Sequence, residues 1–77
     1  MSTHVQSIII SKDYFNKSQA QSWIRRHPRF IPLKMDETTR SYRFRLKQPN
    51  QNLYEYRIKP FSKGINAVIG APFYELY

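Results

Sequence analysis

The chain has 77 residues and a formal net charge of +8, from thirteen Lys and Arg against five Asp and Glu. That length holds one small domain and not two, and 40% hydrophobic with 16% aromatic residues favours a packed core over disorder. Cysteine is absent, which excludes disulfides, thiolate zinc sites and a cysteine nucleophile. The apolar run Ile8-Ile9-Ile10 is far too short for a signal or membrane helix, so neither secretion nor membrane insertion is expected.

In chain order, residues 1–4 read as a flexible N-terminus. Val5 to Ile10 is β-branched and apolar and predicts a central strand, because three consecutive isoleucines leave no polar face. Ser18 to His27 predicts a helix, with Asn16 or Ser18 as N-cap. Ala20, Trp23, Ile24 and His27 follow the i, i+3, i+4, i+7 spacing of one buried face. Arg25 and Arg26 fall off that face, at the negative end of the helix dipole, and Pro28 stops the helix.

Phe30 to Met35, broken by Pro32, predicts an edge strand or an irregular extended segment. Asp36-Glu37-Thr38-Thr39 follows as a turn. Ser41 to Lys47 then alternates strictly, with Tyr42, Phe44 and Leu46 on one face and Arg43, Arg45 and Lys47 on the other. Tyr54 to Lys59 alternates again, with Tyr54, Tyr56 and Ile58 opposite Glu55, Arg57 and Lys59. Two alternating runs joined by a polar loop predict a hairpin. Pro60 ends the second run, Ser62-Lys63-Gly64 is a turn, and Ile65 to Ile69 is a last strand. Residues 71–77 form an aromatic tail. The expected fold is α+β, a single domain over 1–77. It is an antiparallel sheet in the order β-α-β-β-β-β with one helix packed on one face.

The charge is concentrated. Between Arg25 and Lys63 stand eleven basic and three acidic residues, an excess equal to the net charge of the whole chain. If the apolar face of the hairpin lies under the helix, its other face displays Arg43, Arg45, Lys47, Arg57 and Lys59 beside the single acid Glu55. A face that only kept the sheet soluble would mix signs, and like charges on neighbouring strands repel. The expectation is a nucleic-acid-binding face that grips backbone phosphates, with DNA preferred over RNA and little sequence preference. About five phosphate contacts would give a log–log salt slope of roughly −4 to −5 on duplex DNA. Arg25, Arg26 and Arg29 form a second basic cluster at the helix end, to be read either as phosphate contacts or as complements of the helix dipole.

The residues admit three rival readings. Tyr42, Phe44, Tyr54 and Tyr56 would make a base-stacking platform like that of RNA-recognition domains, but the motif's glycine and the fold's second helix are missing. Catalysis is not expected: His4 falls in the flexible terminus, His27 lies on the helix core face, and Asp36 and Glu37 point apart on an extended segment. No Gly-rich phosphate loop exists among two glycines, and Asp13, Asp36, Glu37 and Glu55 are the remaining, weak material for a metal nuclease site. No cofactor or metal is implied. The third rival is an assembly role through protein contacts. The tail residues Phe73, Tyr74, Leu76 and Tyr77 either pack back on the core or cover one another in a homodimer.

One resemblance covers roughly Val5 to Gly70. Ile8-Ile9-Ile10 with Phe15, Ala20, Trp23-Ile24 and His27 is followed by Lys34-Met35-Asp36-Glu37-Thr38, Tyr42-Arg43-Phe44-Arg45, Lys63-Gly64-Ile65 and Val68-Ile69-Gly70. Together these segments resemble an uncharacterised small domain of double-stranded DNA phages and nucleocytoplasmic large DNA viruses, in particular orphan proteins of Marseillevirus-type giant viruses. The resemblance implies a viral protein, in the virion or the interior of an infected cell, with other virion proteins as further partners. It transfers no functional residues. Pro28 and Pro32 stand where that domain is expected to carry a more regular, glycine-containing turn.

Overall fold

The three isoleucines near the N-terminus do form the centre of the molecule. In the computed structural model, which describes residues 3–48 and 52–72, β1 (His4–Ser11) is followed by α1 (Lys17–Arg25), β2 (Lys34–Glu37), β3 (Ser41–Arg45), β4 (Tyr54–Ser62) and β5 (Ile65–Pro72). The strands make one sheet in the order β2-β3-β1-β5-β4, antiparallel at every pairing. It is an α+β domain with one helix on one face.

Asn16 caps the helix. Its side chain accepts from the Gln19 backbone N–H at 2.8 Å, while the Gln19 side chain accepts from the Asn16 N–H at 2.9 Å. This reciprocal box satisfies two orphan donors, so the helix starts one residue before the predicted Ser18. It ends at Arg25, with Arg26 as C-cap. Ala20 and Ile24 are buried against Ile8, Ile10, Tyr42, Phe44, Ile65 and Ala67. Below the helix end, Trp23 stacks on His27 at 3.8 Å between ring centroids, and Phe61 meets the edges of Trp23 and Phe30.

The third predicted element shifts. Pro32 lacks a backbone N–H to give to a ladder, and regular pairing starts only at Lys34. Asp36 and Glu37 lie in strand β2, and the turn moves to residues 38–40. There the Thr38 N–H donates to the Ser41 carbonyl at 2.9 Å and Thr38 Oγ1 accepts from the Ser41 N–H at 3.0 Å.

The predicted hairpin between residues 41–47 and 54–59 does not form. β3 pairs with β1 and β2, β4 pairs with β5, and β1 and β5 stand between β3 and β4. The tight hairpin of this region is β4–β5, closed by Lys63 and Gly64 between the partners Ser62 and Ile65. Gly64 takes φ +77°, the left-handed conformation that glycine accepts without steric cost. Pro60 does not end β4, because an edge strand tolerates a missing donor and the strand is bulged between Pro60 and Ser62.

The first and last strands extend beyond their predicted bounds. His4 belongs to β1 and its ring packs edge-on against Tyr54 at 4.8 Å between centroids, so His4 is not part of a flexible terminus; residues 1 and 2 lie outside the described residues. Ala71 and Pro72 belong to β5. The tail residues Phe73, Tyr74, Leu76 and Tyr77 lie outside the described residues.

Candidate nucleic-acid interface

Side chains of directly paired residues share one face of a sheet, so the register assigns every cation to a side. The row Met35–Phe44–Ile8–Ala67–Lys59 contains the core residues Phe44, Ile8 and Ala67, and therefore lies on the helix face. The row Lys34–Arg45–Ser7–Val68–Ile58 lies on the opposite face. By the same rule Asp36, Arg43, Asn66 and Pro60 are opposite the helix, while Val5, Ile69 and Arg57 are on the helix side.

The five cations expected on one face are thus divided. Arg43 and Arg45 lie opposite the helix; Arg57 and Lys59 lie on the helix side. Tyr54, Tyr56 and Ile58 share the face of Arg43 and Arg45 and are not under the helix with Tyr42 and Phe44. A register carries every side chain of a strand together, so once β4 pairs with β5 through Ile58–Val68, the whole β4 alternation is fixed in this sense. Lys47 is exposed just beyond the end of β3.

Opposite the helix, the arginines are engaged within the protein. A bulge in β1 between Val5 and Ser7 brings Gln6 and Ser7 together, 1% and 0% exposed. Ser7 Oγ donates to Gln6 Oε1, and Gln6 Nε2 donates to the Lys47 carbonyl at 2.8 Å. Arg43 donates from Nε to Ser7 Oγ and from Nη2 to Gln6 Oε1, both at 3.3 Å. Arg45 pairs with Asp36 at 3.4 Å, and Lys34 approaches the same carboxylate at 3.5 Å. Among the described residues, Arg45 Nε is buried without a hydrogen-bond partner.

The helix side is different. Val5 and Ile69 are cross-strand partners that pack half-buried against the edge of the core, as does Leu46. Each residue of that pair lines a depression. One, of about 290 Å³, is lined by Val5, Phe30, Leu46, Arg29 and Lys47 among others. The other, of about 170 Å³, is lined by Ile69, Ala71, Arg57, Lys59 and Glu55 among others. Arg29, Lys47, Arg57 and Lys59 are all exposed around this apolar floor. The acid on the rim is Glu55, which accepts from Arg57 Nη2 at 3.1 Å. Arg29, Lys47 and Lys59 have no carboxylate partner among the described residues. Arg29 is held over the Phe30 ring, 5.7 Å from its centroid.

Arg25 and Arg26 are exposed at the helix end but diverge. Arg25 faces the groove beside β2 and β3, and Arg26 faces the side where Tyr14 and Phe15 lie. Of the three arginines of this cluster, Arg29 is the one that joins the basic rim. The sequence already groups Lys47, Arg57 and Lys59, with Arg29 in support; it does not show the separation of Arg43 and Arg45 from them. The available signal for that separation was the Lys63-Gly64 turn, which joins two extended runs by a two-residue link and so fixes the β4–β5 pairing.

The acidic side chains are dispersed. Asp36 lies opposite the helix; Glu37 lies on the helix side and bonds Lys12 at 2.8 Å. The hydrogen bond from Lys12, reinforced by its charge, holds the Glu37 carboxyl below the usual carboxylate range. Glu55 is occupied by Arg57. Among the described residues no three His, Asp or Glu side chains gather as metal ligands, and no helix is long and apolar enough to cross a membrane. No family model, curated protein or solved structure matches the chain.

Proposed function

We propose that this protein binds nucleic acid without catalysis, gripping backbone phosphates through Arg29, Lys47, Arg57 and Lys59. The observation that carries this reading is the composition of the helix-side rim: among the described residues, four exposed cations and one carboxylate around two depressions floored by Val5 and Leu46 and by Ile69. A rim this unbalanced in sign costs repulsion that a merely solvated surface avoids, and a polyanion relieves it. Arg43 and Arg45, bonded to neighbours on the other face, serve the fold in this reading. Contacts to phosphate position a protein without reading sequence. About four of them give a log–log salt slope of roughly −3 to −4 on duplex DNA.

The test is an anisotropy titration of a mixed-sequence DNA oligonucleotide at two salt concentrations, with two double variants of equal charge change. Arg29→Glu with Lys59→Glu alters the rim. Arg40→Glu with Lys63→Glu alters the turns at the other end of the sheet. The first pair should lose at least about tenfold more affinity than the second. Equal losses would mean that net charge alone drives binding, and salt-independent or absent binding would remove the proposal.

A second reading, assembly through protein contacts and homodimerisation, is favoured by Leu33. It is 62% exposed beside a groove of about 390 Å³ floored by Ile24, Met35 and Phe44. Light scattering of the wild type and of Leu33→Ser tests it. A monomer mass for both counts against this reading.

A further inference from the structure

Resting on the phosphate-binding reading above, we infer that the preferred ligand of the helix-side rim is single-stranded nucleic acid, with bases seated on the apolar floor between the cations. A duplex presents phosphates on its outside and keeps its base faces stacked. It satisfies the rim but leaves the floor against water. A single strand offers both parts at once, charged backbone and flat apolar bases.

The floor has the character that second part needs. Val5, Leu46 and Ile69 are half-buried, and Ile31, lining the larger depression, is 75% exposed. Apolar side chains left this open among cations gain from a flat partner that excludes water. Val5 lines the depression of about 290 Å³, and its cross-strand partner Ile69 lines the one of about 170 Å³, so neighbouring bases can take neighbouring places. Arg29 adds geometry as well as charge. Its exposed guanidinium lies 5.7 Å from the Phe30 ring centroid, and a planar cation of this kind can stack on a base.

The experiment compares a mixed-sequence single-stranded DNA oligonucleotide with the duplex of the same length, by anisotropy at one fixed salt concentration and again at a higher one. The single strand should bind about tenfold more tightly than the duplex. Arg29→Lys keeps the charge and removes the planar stacking group; Ile31→Ser removes exposed apolar floor. Both residues are exposed, and thermal melts check that the variants fold. Each variant should bring the single-strand to duplex ratio down severalfold. Salt-dependent binding with equal affinity for both forms overturns this inference and leaves the phosphate reading standing. A single-strand preference that neither variant reduces also overturns it, because the bases then sit elsewhere. Absence of salt-dependent binding to either form removes the phosphate reading and this inference together.

Discussion

Arg43 reaches across from β3 to β1 and donates from Nη2 to Gln6 Oε1 at 3.3 Å. The acceptor sits at a bulge and is nearly inaccessible to water. A buried amide oxygen retains its bonding need when a donor is withdrawn, and Ser7 Oγ loses its contact with the same guanidinium. Arg43→Ala is therefore expected to lower stability by about 1–2 kcal/mol in urea unfolding. Arg29→Ala, which removes an exposed side chain, should change stability by less than about 0.5 kcal/mol. Equal losses would contradict the division of the arginines into structural and surface groups.

Gly64 makes the β4–β5 turn possible in two ways. Its φ is +77°, and a Cβ there would lie 2.8 Å from Tyr14 Cδ2 and 3.0 Å from Tyr14 Cβ. Gly64→Ala should cost about 1–3 kcal/mol, read as a lower urea midpoint. Removing the ring as well, in Gly64→Ala with Tyr14→Ala, relieves the clash but not the backbone strain. A double variant as stable as Tyr14→Ala alone would show that the dihedral angle is not under strain.

The Lys12–Glu37 pair couples the β1 end to the β2 edge. Because the folded-state pKa of Glu37 is lowered, the linked stabilisation is present above the unfolded-state value and fades as pH falls through the folded one. Lys12→Ala should return the Glu37 titration towards the usual carboxylate range, measured by NMR on the side-chain carboxyl. An unmoved midpoint would exclude Lys12 as the cause. Stability of the wild type and variant should converge at acid pH.

Asn16 and Ser18 both offer a capping oxygen in the sequence, and the structure uses Asn16. Asn16→Ala is expected to cost about 1 kcal/mol, and Ser18→Ala, inside the first turn, a few tenths at most. Thermal melts of the two variants decide between the caps.

Local periodicity made much of the fold legible. Ile8 and Ile10 of β1, the Ala20–Ile24 face of the helix and the Tyr42–Phe44 face of β3 all enter the core as their spacing implies. The phase of one strand relative to another was not legible in the same way. Two alternating runs carry no information about which faces coincide until their pairing is known, and a β4 inserted against β5 turns Tyr54 and Arg57 over together. The eight residues between Arg45 and Tyr54 are too long for a preferred hairpin link, whereas Lys63-Gly64 has the right length. The parting of Arg43 and Arg45 from Arg57 and Lys59 was hidden for the same reason, since it follows from the pairing of β4 with β5 and not with β3.

The lateral order of the strands bears on how the domain assembles. β2–β3 and β4–β5 are hairpins of adjacent segments that can zip from their own turns on a microsecond scale. They share no edge; β1 lies between them and supplies the ladder to each. A two-stranded ribbon alone in water is marginal, so neither hairpin gains lasting order until β1 docks. The N-terminal strand is thus the keystone: cooperativity between the halves passes through its eight residues. Its pairing with β5 closes the longest loop of the sheet, the contact with the largest closure entropy.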